Sequence, residues 1–152
     1  MKITKTGPEG LKLITTSEGW SAKPYICAGG ICTIGYGNTY YENGDKIKMT
    51  DKAITKERGM ELFKWSLGVY EKAVDSFTVD TINQNQFDAL VSICYNIGAN
   101  ALKGSTLIRR VNANLNDPTI AAAFGMWNKA NSKVLKGLTT RRAKEAALFF
   151  KK

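Results

Sequence analysis

A stretch rich in glycine and β-branched residues interrupts a chain that otherwise reads as helix. Cys27-Ala28-Gly29-Gly30-Ile31-Cys32-Thr33-Ile34-Gly35-Tyr36-Gly37 mixes glycine with Ile, Thr and Tyr instead of following a helical period. Asn43-Gly44, a little further on, is a strong turn signal. From Tyr25 to roughly Ile47 the sequence predicts a small antiparallel sheet of two or three short strands. Such a sheet is expected as one lobe beside a helical one.

The flanking segments supply the helices. Gly7 is a plausible N-cap with Pro8 at the first helical position, and Leu11, Ile14 and Leu13 give an apolar face that ends near Glu18-Gly19. After Thr55, Leu62, Trp65, Val69 and Val74 are expected to share much of one face of a long helix reaching about Phe77 and bridging the lobes. Asn83-Gln84-Asn85-Gln86 resembles a capping box for a helix with Phe87, Leu90, Val91, Cys94 and Tyr95 on one side, stopping near Gly98. Ser105 caps a helix carrying Leu107, Ile108, Val111 and Leu115. Asp117-Pro118 reads as the cap and first turn of a helix with Ala121, Phe124 and Trp127, and Thr139 or Thr140 starts a last one through Leu148. The fold class is α+β, mostly helical, in one domain over 1–152: a sheet lobe at about 19–54, and a helical lobe at about 78–152 that includes the N-terminal helix.

Composition narrows the chemistry. At 152 residues and 43% hydrophobic content the chain can bury a real core. No apolar run approaches the roughly 18–20 residues of a membrane span, and the first eight residues lack the apolar centre of a signal peptide. The expectation is a protein made and kept in the cytosol. A net charge of +9 draws it to polyanions such as nucleic acid, anionic lipid or an acidic cell wall. The basic residues are spread along the chain, which suits a broad attractive face and not a specific reader of nucleic acid.

There is no histidine. Ser-His-Asp and Cys-His nucleophiles are therefore excluded, and the usual zinc hydrolase sites have no ligands. Three scattered cysteines do not replace them, so neither a metal nor another cofactor is expected. Proton chemistry falls to carboxylates, which points toward glycosidases. Glu18 stands where the first helix should end, nine residues before Cys27 and fifteen before Thr33. The negative end of the helix dipole disfavours an ionised carboxylate there. A protonated Glu at neutral pH is what donation to a glycosidic oxygen requires; the alternative is a polar residue that merely ends a helix.

The run Glu18-Gly19…Pro24-Tyr25-Ile26-Cys27…Gly30-Ile31-Cys32-Thr33-Ile34-Gly35-Tyr36-Gly37-Asn38-Thr39 closely resembles the phage-type lysozymes, the endolysins of glycoside hydrolase family 24. The family pattern is a Glu, eight residues, an Asp or Cys, five residues and a Thr, which Glu18, Cys27 and Thr33 meet in full. Gln86-Phe87-Asp88-Ala89-Leu90-Val91-Ser92 with Tyr95-Asn96-Ile97-Gly98 is similar to the family's central helix and cleft loop. Trp127, Gly137-Leu138-Thr139 and Arg141-Arg142…Glu145 are similar to its C-terminal signature.

The resemblance implies a two-lobed lysozyme-like fold with peptidoglycan glycan strands as substrate and cleavage after N-acetylmuramic acid. It implies Glu18 as general acid, with Thr33 and Cys27 positioning the attacking water. Arg142 would approach Glu18 from the helical lobe and hold its carboxyl group, while Asn96 and Thr139 would hydrogen-bond the glycan. It also implies a monomer without nucleic-acid partner or membrane segment, which reaches the periplasmic wall from the host cytoplasm through a separate holin. Inversion at the sugar is the family expectation.

Several readings stay open on the residues themselves. Many relatives carry Asp where this chain has Cys27, and a thiol near its reference pKa of about 8.5 is a poor base at neutral pH, so Cys27 is given a positioning role. A four-residue loop, Ala28-Gly29-Gly30-Ile31, would put Cys32 opposite Cys27, where a disulfide is conceivable. Cys94 has core spacing and reads as a buried thiol. Trp20, Tyr36 and Tyr40 are either sugar-stacking residues or packing for the hairpin. Two other functions compete: a cationic binder without catalysis, which leaves the Glu-Cys-Thr spacing without a role, and a lytic transglycosylase, which leaves anhydro ends.

Overall fold

In the computed structural model, which describes residues 2–152, the elements run α1 (Pro8–Glu18), β1 (Ser21–Ile26), β2 (Cys32–Gly35), α2 (Lys56–Phe77), α3 (Gln84–Ile97), α4 (Ala99–Lys103), α5 (Thr106–Ala113), α6 (Ile120–Gly125), β3 (Lys129–Ala130), β4 (Lys133–Val134) and α7 (Lys136–Phe149). This is the expected α+β class, helical with two small antiparallel sheets. Two compact units are present: a hairpin unit, Thr15–Val69, and a helical unit formed by the residues through Ile14 together with Tyr70–Lys152. Among the described residues no helix is long and apolar enough to cross a membrane.

In the hairpin unit, β1 and β2 pair antiparallel with Tyr25 opposite Thr33 and Ile26 opposite Cys32. The Cys27 N–H donates to the Ile31 carbonyl at 3.0 Å and the Gly30 N–H to the Cys27 carbonyl at 2.9 Å. The loop is therefore three residues, Ala28-Gly29-Gly30, with Gly30 at φ 78° in the left-handed position that such loops require. It is one residue shorter than the sequence suggested, and a one-residue slip exchanges the two faces. Cys27 lies opposite Ile31, and Cys32 falls on the other face with Ile34. There Cys32, Tyr41 and Ile54 pack against a core of Ile34, Ile47 and Leu62. The conceivable Cys27–Cys32 disulfide is thus overturned, and both cysteines are free thiols.

Trp20 lies flat against the backbone of α2, where a Cβ at Gly59 would come within 2.2 Å of the indole. Its ring meets Tyr36 at 4.9 Å between centroids, and Tyr36 meets Phe63 at 5.7 Å. The packing reading thus accounts for Trp20 and Tyr36. Tyr40 differs: it is exposed and lines a cavity of about 230 Å³ with Ile31, Thr39 and Lys46.

The α2 face needs correction. Leu62, Phe63, Leu67, Glu71 and Val74 are buried, whereas Trp65 and Val69 are 44% and 60% exposed. At 100° per residue, 65 and 69 fall about half a turn from the middle of the buried stripe. Leu62 and Val74 carried the right signal, and the other two did not.

In the helical unit α3 is the core helix, with Phe87, Ala89, Leu90, Val91, Ile93 and Cys94 fully buried. It packs on α7 and α4, while α6 packs on α7 and α5 on α6. Asn83 and Gln86 form the expected capping box, and the Ser105 hydroxyl accepts from the Ile108 N–H to cap α5. Leu115 lies beyond the end of that helix. Asp88, buried, accepts from the Gly7 and Gly10 N–H groups at 2.9 and 3.0 Å and so caps α1 from a distant helix. Gly10 is required there, since a Cβ would come within 2.7 Å of the Asp88 side chain.

Two sequence expectations shift. Asp117 accepts from the Thr119 N–H and hydroxyl, forming a turn, and the helix starts only at Ile120. The final helix starts at Lys136, ahead of Thr139, because a short hairpin precedes it. Lys129 pairs with Val134 and Ala130 with Lys133 around Asn131 and Ser132, both at positive φ. Strands of two residues leave no alternation to read.

Candidate active site

Glu18 closes α1 and is half-buried. Gly19 follows at φ 75°, a left-handed residue that stops the helix and turns the chain into β1. Along β1 and its extension, Tyr25 and Cys27 are two residues apart and share a face, and Thr33 is the cross-strand partner of Tyr25. The hairpin thus gathers Tyr25, Cys27 and Thr33 on the face opposite Cys32 and Ile34.

Thr33 is 3% exposed, and its hydroxyl donates to the Ile31 carbonyl at 2.9 Å. With that proton committed, the lone pairs of the oxygen are left as acceptors. The Cys27 thiol is held below its usual value, first by hydrogen bonding to the Ile31 backbone and then to that of Gly29. The tight loop therefore makes this thiol more acidic than an ordinary cysteine. Burial pushes the Tyr25 phenol up, and Cys27 and Glu18 push it the same way. Both acidic groups lie within electrostatic reach of that phenol.

The other expected residues are in the helical unit. Asn96 is exposed in the last turn of α3. Thr139 is exposed in the first turn of α7, and its hydroxyl accepts from Asn128 Nδ2 at 3.3 Å. Arg142 is 1% exposed, with its Nε 2.6 Å from Glu145 Oε1 and its Nη2 donating to Oε2 at 3.2 Å. Ser92 Oγ and Arg141 Nε also donate to Glu145 Oε2. Burial pushes the Glu145 carboxyl up, opposed by Arg142, Ser92 and Arg141.

Two residues escaped the sequence reading. Tyr25 stood in the quoted motif without a role, although its two-residue spacing from Cys27 on a strand was a usable signal. Glu145 stood in the C-terminal signature, and its three-residue spacing from Arg142 on a helix was another.

A carboxylic acid at a helix end and a hairpin face carrying a sulfur and a hydroxyl define a site suited to carboxylate-driven hydrolysis. The chain matches the family model described as phage lysozyme over residues 15–145, and it belongs to that family. It is 40% identical over 149 residues to the endolysin of Salmonella phage P22, covering 98% of both chains. Among solved structures it is similar to the endolysin from Escherichia coli O157:H7 phage FAHEc1, with a TM-score of 0.89 and 34% identity over 99% of this chain and 96% of that one. It is also similar to a point mutant of P22 lysozyme, with a TM-score of 0.85 and 36% identity over 98% of this chain and 100% of the other. The chain is a lysozyme, a muramidase of the endolysin type that hydrolyses bacterial peptidoglycan in host lysis.

Proposed function

We propose that Glu18 is the general acid of this muramidase, protonating the glycosidic oxygen between N-acetylmuramic acid and N-acetylglucosamine. Cys27 and Thr33 hold the attacking water on the other side of the sugar. Asn96 and Thr139, both exposed polar groups, hydrogen-bond the glycan. The observation that carries the reading is the face that Cys27 and Thr33 share beside the three-residue loop, where the Thr33 proton is taken by the Ile31 carbonyl and the Ile31 and Gly29 backbone makes the thiol more acidic.

The protein acts as a monomer, starts in the host cytoplasm and reaches the wall through a membrane lesion made by a holin. Its net charge of +9 favours the anionic wall. Mass spectrometry of digested peptidoglycan tests the reaction class. Reducing N-acetylmuramic acid ends are expected, anhydro ends would mean a transglycosylase, and undigested glycan would mean a binder.

A further inference from the structure

A water molecule that attacks a sugar carbon has four directions to satisfy. Two are its protons, one is the lone pair that forms the new bond, and the last is a second lone pair that needs a donor. Cys27 and Thr33 share one hairpin face and are matched to the protons: the loop amides make the Cys27 thiol more acidic, and the Thr33 proton is committed to the Ile31 carbonyl at 2.9 Å. Neither supplies a donor to the water in that arrangement.

The same hairpin face carries one more polar group. Tyr25 lies directly across from Thr33 in the ladder and two residues before Cys27, so its side chain leaves the sheet on their side. It is half-buried, unlike Ile26 next to it, which is 54% exposed on the other face. Burial and the nearby acidic groups keep the phenol protonated beyond its ordinary range, so it is a donor at neutral pH.

We infer that Tyr25 is a further catalytic residue, whose phenol O–H donates to the attacking water that Cys27 and Thr33 hold through its protons. The inference rests on the site proposed above. With the second lone pair occupied, the remaining one faces the sugar. As the water oxygen bonds to the anomeric carbon, the bond to the leaving oxygen breaks and that oxygen takes the Glu18 proton. The proton lost by the water passes to the Cys27 sulfur, and Tyr25 keeps its own.

Tyr25→Phe, which retains the ring, tests this on soluble glycan fragments. The expected result is a kcat roughly tenfold lower, the scale of one hydrogen bond, with KM little changed. In a double-mutant cycle with Thr33→Ala, the combined loss should be smaller than the product of the single losses, because both residues hold one water. Wild-type kcat in Tyr25→Phe or strictly multiplicative losses would each overturn the inference. Glu18→Gln separates the two levels: if it remains active the proposed site is wrong, and if it is inactive while Tyr25→Phe is fully active only the role of Tyr25 is wrong.

Discussion

In the hairpin unit a cluster of Ile34, Ile47 and Leu62 backs the sheet, Phe63 and Leu67 of α2 are buried as well, and the polar groups are arranged by backbone turns. In the helical unit a fully buried α3 packs on α7, and the interior holds Ser92, Arg141, Arg142 and Glu145 in one hydrogen-bonded cluster. The first fixes its reactive side chains through strand register and a three-residue loop. The second encloses charge, which is tolerable only while every member keeps its partner. Substitutions in the hairpin should therefore change activity with little change in stability, and those in the helical cluster should do the reverse first.

The largest stability effect is expected for Glu145→Ala. It removes the carboxylate shared by two buried guanidinium groups and should cost about 3–5 kcal/mol, measured as a fall in urea midpoint. A loss under about 1 kcal/mol would mean that the cluster is not the polar keystone described. Asp88→Ala comes next, at about 1–3 kcal/mol, since the Gly7 and Gly10 amides lose a charged acceptor. An unchanged midpoint would show that α1 needs no cap from α3.

The ends of the helical unit also show what a sequence can and cannot reveal. The capping box at Asn83 and Gln86 and the Ser105 cap were legible because their partners lie three residues away. The cap on α1 was not, because Asp88 is 78 residues from Gly10. On the hairpin side, Glu18, Cys27 and Thr33 were singled out by the resemblance to the family pattern, since the residues alone left Glu18 open. The surroundings were not legible: one residue of loop length decided that Cys27 shares a face with Thr33 and that Cys32 joins the core. Trp65 and Val69 were misread on α2 because hydrophobicity alone does not say which of two apolar faces is covered.

Smaller effects sharpen the hairpin side. Cys27→Leu, which removes the acceptor, should lower wall lysis by at least about tenfold, while Cys27→Asp retains substantial activity. The reverse order would make position 27 a packing site. The thiols themselves should differ in reactivity. Cys27 is held below its usual pKa, so more of it is thiolate at a given pH, whereas burial pushes Cys94 up to about 12. Iodoacetamide at pH 8 should therefore label Cys27 well before Cys94, and the reaction of Cys27 should begin at a lower pH than that of an unfolded cysteine. Equal labelling of the two in the folded protein would contradict the loop's effect on the sulfur.

The most direct test is Glu18→Gln, assayed on purified peptidoglycan with folding checked by circular dichroism and urea denaturation. The amide keeps the shape of the side chain but cannot give up a proton, and general acid catalysis is worth roughly 10²–10⁴-fold. The expected result is a loss of activity on that scale, with stability shifted by no more than about 0.5 kcal/mol. A folded Glu18→Gln protein that still cleaves the glycan at near wild-type rate would contradict the account.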